Sequence, residues 1–131
     1  MTNDPEERPA RYAVRFSAQA DLDTTEALLR LAEITGDPTA ALAWRNRLVE
    51  EAGTLAKSPR RFAVNDQASR RFKQETRRML LRPRTGGAAY HVYYAVQDES
   101  GDGPRILVLH VRHASRRPIT LEEARRILAN L

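Results

Sequence analysis

Two runs of strand-forming residues late in the chain restrict its fold more than any other feature. Tyr90–Val96 reads YHVYYAV and Ile106–His113 reads ILVLHVRH. In the first, Tyr90, Val92, Tyr94 and Val96 recur at period two on one face. In the second, strict alternation puts Ile106, Val108, His110 and Arg112 on one face, and Leu107, Leu109, Val111 and His113 on the other. The intervening Asp98-Glu99-Ser100-Gly101-Asp102-Gly103-Pro104 is dense in turn formers, which predicts an antiparallel hairpin with a loop of several residues. Aliphatic side chains on both faces of the second run predict a central strand covered on both sides. Such a strand delivers His113, Arg116 and Arg117 to a sheet edge, and the candidate site is placed there.

Taken in order, Arg11–Phe16 (RYAVRF) alternates as a half-buried strand, with Tyr12, Val14 and Phe16 facing inward. Ser17 is the expected N-cap of a helix lined by Leu22, Leu28, Leu31 and Ala32, and Gly36 is its expected stop. Asp37-Pro38 restarts the chain, with Asp as cap and Pro in the first helical position. The second helix runs to about Lys57 with a stripe of Ala41, Trp44, Leu48, Ala52 and Leu55. Trp44 reads as a core anchor rather than a base-stacking residue, because it lies in that stripe. Residues 60–76 are least readable; Asp66 is an expected cap for a short helix docked through Phe62, Val64 and Phe72. Arg77–Arg84 (RRMLLRPR) reads as a short strand with Pro83 at its end, followed by a Thr85-Gly86-Gly87 turn. After Pro118, Thr120-Leu121-Glu122-Glu123 forms a capping box. Leu121, Ala124, Leu128 and Leu131 give the stripe of a C-terminal helix over 120–131. The order is therefore strand, two-helix hairpin, three-stranded antiparallel meander and C-terminal helix, an α+β sandwich of one sheet and its helices.

The chain has 131 residues, enough for one domain over 11–131 behind a short polar leader at 1–10. It contains no cysteine, which excludes disulfides and thiolate metal sites. No apolar run approaches the roughly 20 residues of a membrane span, and a cytoplasmic protein without membrane partners is expected. Net charge is +5, unevenly spread. Residues 57–84 carry ten Lys/Arg against two Asp/Glu, and residues 105–131 carry six against two. These basic stretches flank the hairpin, and folding the hairpin back would bring them together as a surface for a polyanion or an acidic protein.

The arrangement resembles the RelE/ParE superfamily of type II toxin–antitoxin toxins, also termed plasmid-stabilisation proteins. Tyr12–Ser17 (YAVRFS) is similar to the family's opening strand, with Ala20 and Asp23 at the small and acidic positions that follow. Gly36-Asp37-Pro38 with Ala40 is similar to its helix–helix junction, and Leu55 with Pro59 to the L-x-x-x-P close of its second helix. Arg77 or Arg78 falls where a strand arginine is common. Tyr90–Val96 resembles the Y-R-I-x-Y-x-V strand, with His91 in place of Arg, and Ile106–Arg116 resembles the closing I-x-I-x-x-V-x-H-x-x-R pattern. The resemblance covers roughly residues 11–118; the loop at 98–104 is long for the family, and the helix after Pro118 is an extension. It implies a growth-inhibiting toxin neutralised by an acidic antitoxin. ParE-like members act on DNA gyrase, whereas RelE-like members cleave mRNA on the ribosome. The long helices here are nearer to the ParE build.

Metal-free RNA cleavage needs a proton-transfer group and cations on the phosphate. His suits the first role at neutral pH and Arg the second. The candidate catalytic set is accordingly His113, Arg116 and Arg78. Phosphate- or partner-binding candidates are Arg77, Arg82, Arg84, Arg112, Arg117 and Tyr93, the tyrosine being the expected surface stacking residue. The bland reading has His113 hydrogen-bonding the strand end and the arginines solvated. His110 and His113 are three apart, so they point to opposite faces of a regular strand and cannot share an ion. No metal or cofactor is expected. The preferred expectation is a ParE-like gyrase toxin; the alternatives are a RelE-like mRNA endonuclease and a non-toxic relative serving as a binding module.

Overall fold

The computed structural model describes residues 12–82 and 88–131. The leader, Arg11, Pro83, Arg84 and the Thr85-Gly86-Gly87 turn lie outside the described residues. The architecture is α+β. Its elements are β1 (Ala13–Phe16), α1 (Ala18–Thr35), α2 (Pro38–Gly53) with a 3-10 turn at Thr54–Ala56, α3 (Asp66–Phe72), β2 (Arg77–Leu81), β3 (Tyr90–Gln97), β4 (Arg105–His113) and α4 (Leu121–Ala129). The strands form one mixed sheet in the order β1-β4-β3-β2. β2, β3 and β4 are the expected antiparallel meander, and β1 lies parallel on the far side of β4. β4 is therefore central, and Ile106 through Arg112 are all buried.

The local signals for α1 and α2 act as read. The Ser17 hydroxyl accepts from Ala20 N at 2.9 Å, and Asp37 caps α2 through Thr39 N and Ala40 N. Gly36 takes φ 65°, a left-handed conformation that suits glycine at a helix end. The inward face of α1 differs from the expected stripe. Ala20, Thr24 and Ala27 are buried, whereas Leu22 is 57% exposed. Small residues let α1 lie close against β4, and Leu22 is turned away. On α2, Ala41, Leu48 and Ala52 are buried, as is Leu55 in the 3-10 turn, while Trp44 is half-buried with its ring 5.0 Å from that of Tyr90. Together α1 and α2 cover the sheet face bearing Met79, Val92, Tyr94, Ile106 and Val108.

The second face is closed by α3 and α4. Ala68, Phe72, Ala124 and Ile127 pack there with Tyr93, Ala95, Leu107 and Leu109. The cap of α3 is Asn65, not Asp66, because its side chain is the one that accepts from Ala68 N, at 2.9 Å. The α4 stripe also differs: Ile127 is buried and Leu131 is 58% exposed, one residue beyond the helix's C-cap Asn130. The capping box at Thr120 and Glu123 is present in both directions.

The register of β4 changes partway along. Tyr94 pairs with Val108 but Tyr93 pairs with His110, leaving Leu109 as an extra residue in a bulge. A one-residue insertion moves every later side chain to the other face. Val111 joins Val108 on the α1/α2 face, and His110 and Arg112 turn to the α3/α4 face. Uninterrupted alternation from Ile106 had predicted the reverse.

Candidate functional site

Beyond Phe16, β1 no longer pairs with β4, and the exposed edge of β4 is met by side chains of α1. The Ser17 hydroxyl donates to Leu109 O at 2.7 Å. The Asp23 carboxylate accepts from Val111 N at 3.0 Å and lies 2.6 Å from His110 Nδ1. The other imidazole nitrogen, Nε2, lies 3.2 Å from Arg112 Nη1. A guanidinium has only donors, so Nε2 accepts and the His110 proton sits on Nδ1, toward Asp23. Arg112 continues the chain of contacts to Glu123, with Nη1 3.2 Å from Oε2, and its Nε donates to Arg117 O at 3.0 Å. Asp23, His110, Arg112 and Glu123 thus form a buried line of alternating charge and dipole from α1 through β4 to α4. Side-chain exposures of 11%, 6%, 2% and 15% keep it largely out of water.

Arg112 was expected to present its guanidinium openly to a phosphate; instead it is buried and its Nη1 and Nη2 are paired with the Glu123 carboxylate. Tyr93, the expected surface stacker, is 6% exposed because α3 and α4 cover its face. Its ring is stacked 6.2 Å from that of His110. Arg77 is a strap rather than an open cation: its Nη1 donates to Phe62 O at 2.7 Å and Arg60 O at 3.2 Å. Arg82 is exposed, and its carbonyl accepts from Arg47 Nη1. Arg84 lies outside the described residues.

His113 ends β4 on the α1/α2 face, opposite Tyr90, with the two rings edge-on at 5.3 Å. Ser115 N donates to its Nδ1 at 3.1 Å, and the Ser115 hydroxyl lies 2.6 Å from the same atom. A backbone N–H can only donate, so the proton of a neutral His113 sits on Nε2. Arg78 pairs with Tyr93 in the register and lies on the other face, exposed. Arg116 is exposed in the turn after β4, with Nη2 4.0 Å from Glu123 on α4. Arg78 and Arg116 therefore belong to the α4 side of the sheet, and His113 does not.

The two basic stretches do converge on that side. α3 carries Arg70 and Arg71, α4 carries Arg125 and Arg126, and Arg71 Nε donates to Ile119 O at 3.2 Å just before α4. Glu123 is the centre of charge there. Burial pushes its carboxyl up, but the Thr120 N–H and then the Arg117 and Arg112 guanidiniums pull it further down, to about 2. Burial lowers the His91 imidazole, and nearby Arg78 lowers it further.

The residues that sequence reasoning missed are Asp23 and His110 as a pair, and Glu123 as more than a cap. In the sequence Asp23 stood only as an acid in the early turns of the first helix, at the acidic position of the resemblance, and His110 only as a histidine within an aliphatic strand. No cluster of three or more His, Cys, Asp or Glu side chains suited to a metal occurs among the described residues. No described helix is long and apolar enough to cross a membrane. An open cavity of about 700 Å³ lies away from the tip of β4, between Tyr12 and Ala13 of the β1 edge and the end of α2, and none of the expected site residues lines it. Comparison of the chain with protein-family models, with curated proteins and with solved structures returns no match.

Proposed function

We propose that the chain is the toxin of a type II toxin–antitoxin module, with DNA gyrase as its target and an acidic antitoxin as its neutralising partner. The reading is supported by a helical hairpin set between an edge strand and a three-stranded meander, the element order that the sequence resemblance implies. The cationic α3/α4 layer supports an acidic partner. The observation that favours gyrase over mRNA is the separation of His113 from Arg78 and Arg112 by the sheet. RNA cleavage without a metal needs the proton-transfer group and the phosphate clamp on one substrate. Here they look to opposite faces, and the Nδ1 of His113 is already engaged by Ser115.

Regulated expression without the antitoxin, with DNA damage and transcript cleavage read in the same cells, tests the proposal. The expected result is growth arrest with DNA breaks and an SOS response. Cleaved messages would replace gyrase by mRNA as the target, and the absence of any arrest would leave a plain binding module. His113→Ala is expected to keep the arrest.

A further inference from the structure

The Glu123 carboxylate sits among more donors than it can use. Its Oε1 faces Thr120 N at 2.9 Å, Arg117 Nη1 at 3.0 Å, Thr120 Oγ1 at 3.1 Å and Arg112 Nη2 at 3.5 Å. Its Oε2 faces Arg112 Nη1 at 3.2 Å and Arg116 Nη2 at 4.0 Å. A carboxylate oxygen offers about two lone-pair sites, so the donors on Oε1 exceed its capacity. Three guanidiniums also meet a single negative charge. A phosphate group brings more oxygens in a tetrahedral array and up to two negative charges, which fits such a set better.

The donors are organised before any ligand arrives. Arg112 is fixed by its 2% exposure and by the bond from its Nε to Arg117 O. Thr120 places its N–H at the start of the nine-residue α4, where the helix dipole favours an anion. Arg116 and Arg117 have side chains 53% and 63% exposed, which leaves the cluster open to solvent on one side.

We propose that Arg112, Arg116, Arg117 and the Thr120 cap form a phosphate-binding cradle, which the Glu123 carboxylate plugs from within. Phosphate enters by displacing the carboxylate, and no covalent bond changes. Internal competition lowers the apparent affinity of the intact chain, and removing the plug restores it. The cradle does not depend on the toxin reading or on its target.

The test is calorimetric titration with inorganic phosphate at constant ionic strength, using the intact chain, Glu123→Gln, and Glu123→Gln combined with Arg116→Ala and Arg117→Ala. The glutamine amide carries no charge and sets an NH2 group against the guanidiniums, so it competes with phosphate less than the carboxylate does. Glu123→Gln should bind phosphate about ten-fold tighter than the intact chain, and the added arginine changes should abolish the gain. A parallel arm with a short single-stranded oligoribonucleotide separates a backbone phosphate from the free ion as the natural source. Thermal melting covers the case of a weakened fold: phosphate should raise the melting temperature of Glu123→Gln more than that of the intact chain, and more than chloride does. Equal phosphate affinity in the two proteins, or a Glu123→Gln chain that stays unfolded in phosphate, would overturn the cradle.

Discussion

Replacing Asp23 by alanine removes the acceptor that serves the open edge of β4. Besides the Gln19 Nε2 of a half-buried side chain, which donates to Oδ1 at 2.8 Å, two donors on Oδ2 lose their partner together: Val111 N at 3.0 Å and the Nδ1–H of His110 at 2.6 Å. Both residues are buried, at 4% and 5% exposure. An orphaned buried donor costs about 1–3 kcal/mol. Partial access of water past an 11% exposed side chain favours the lower half of that range. The expected loss is about 3 kcal/mol, a large share of the roughly 5–15 kcal/mol that holds a domain together. With a urea m-value of about 2 kcal/mol/M, the unfolding midpoint falls by about 1.5 M. Asp23→Asn separates charge from acceptor geometry. Val111 N and His110 Nδ1 share Oδ2, so an amide oxygen in that place can accept from both, while the new NH2 group replaces Oδ1 and opposes only Gln19 Nε2, 2.8 Å away. Asparagine should therefore recover more than half of the loss, the remainder being the charge that strengthened both bonds. Urea unfolding monitored by circular dichroism, with m unchanged, is the assay. A loss under about 0.5 kcal/mol for Asp23→Ala, or an Asp23→Asn protein no more stable than Asp23→Ala, would refute the account of the β4 edge.

Glu123 gives a pH signature. Its folded pKa of about 2 lies below the ordinary glutamate value of 4.5, so its contribution is complete above about 4.5 and is lost as pH falls toward 2. Glu123→Gln should flatten the fall of the urea midpoint across that window, and an unchanged slope would contradict the cluster. Arg78→Ala should raise the His91 pKa, read by proton NMR titration, because Arg78 is one of the causes holding it down. Tyr94→Phe removes a hydroxyl that donates to Pro59 O at 2.9 Å. About 1 kcal/mol should be lost in urea unfolding, since a part-buried carbonyl is left without its donor.

The helix boundaries were legible because their signals act between neighbours. Ser17, Gly36, Asp37-Pro38 and the Thr120–Glu123 box each close a local hydrogen-bonding or conformational requirement, and each stands where it was read. The strands were legible for a similar reason, since alternation reports which residues share a face. The site was less legible. Asn65 and Asp66 are both capping residues, and only the folded backbone selects between them. Tyr93 sits in a strand whose second face looked accessible until α3 and α4 were in place over it.

What the sequence alone determined is the order of elements and a central β4, through period, caps and turn formers. The tertiary structure decided where the chemistry points. The bulge at Leu109 reverses His110, Val111 and Arg112, and it lies where β4 loses β1 and gains Ser17 and Asp23. Asp23 and His110 are 87 residues apart, and Arg112 and Glu123 meet only after the chain turns back through α4. Periodicity assumes an uninterrupted strand and carries no information about such a partner. The physical reason is that burial makes each polar group seek whatever complement the fold brings within about 3 Å, regardless of its distance along the chain.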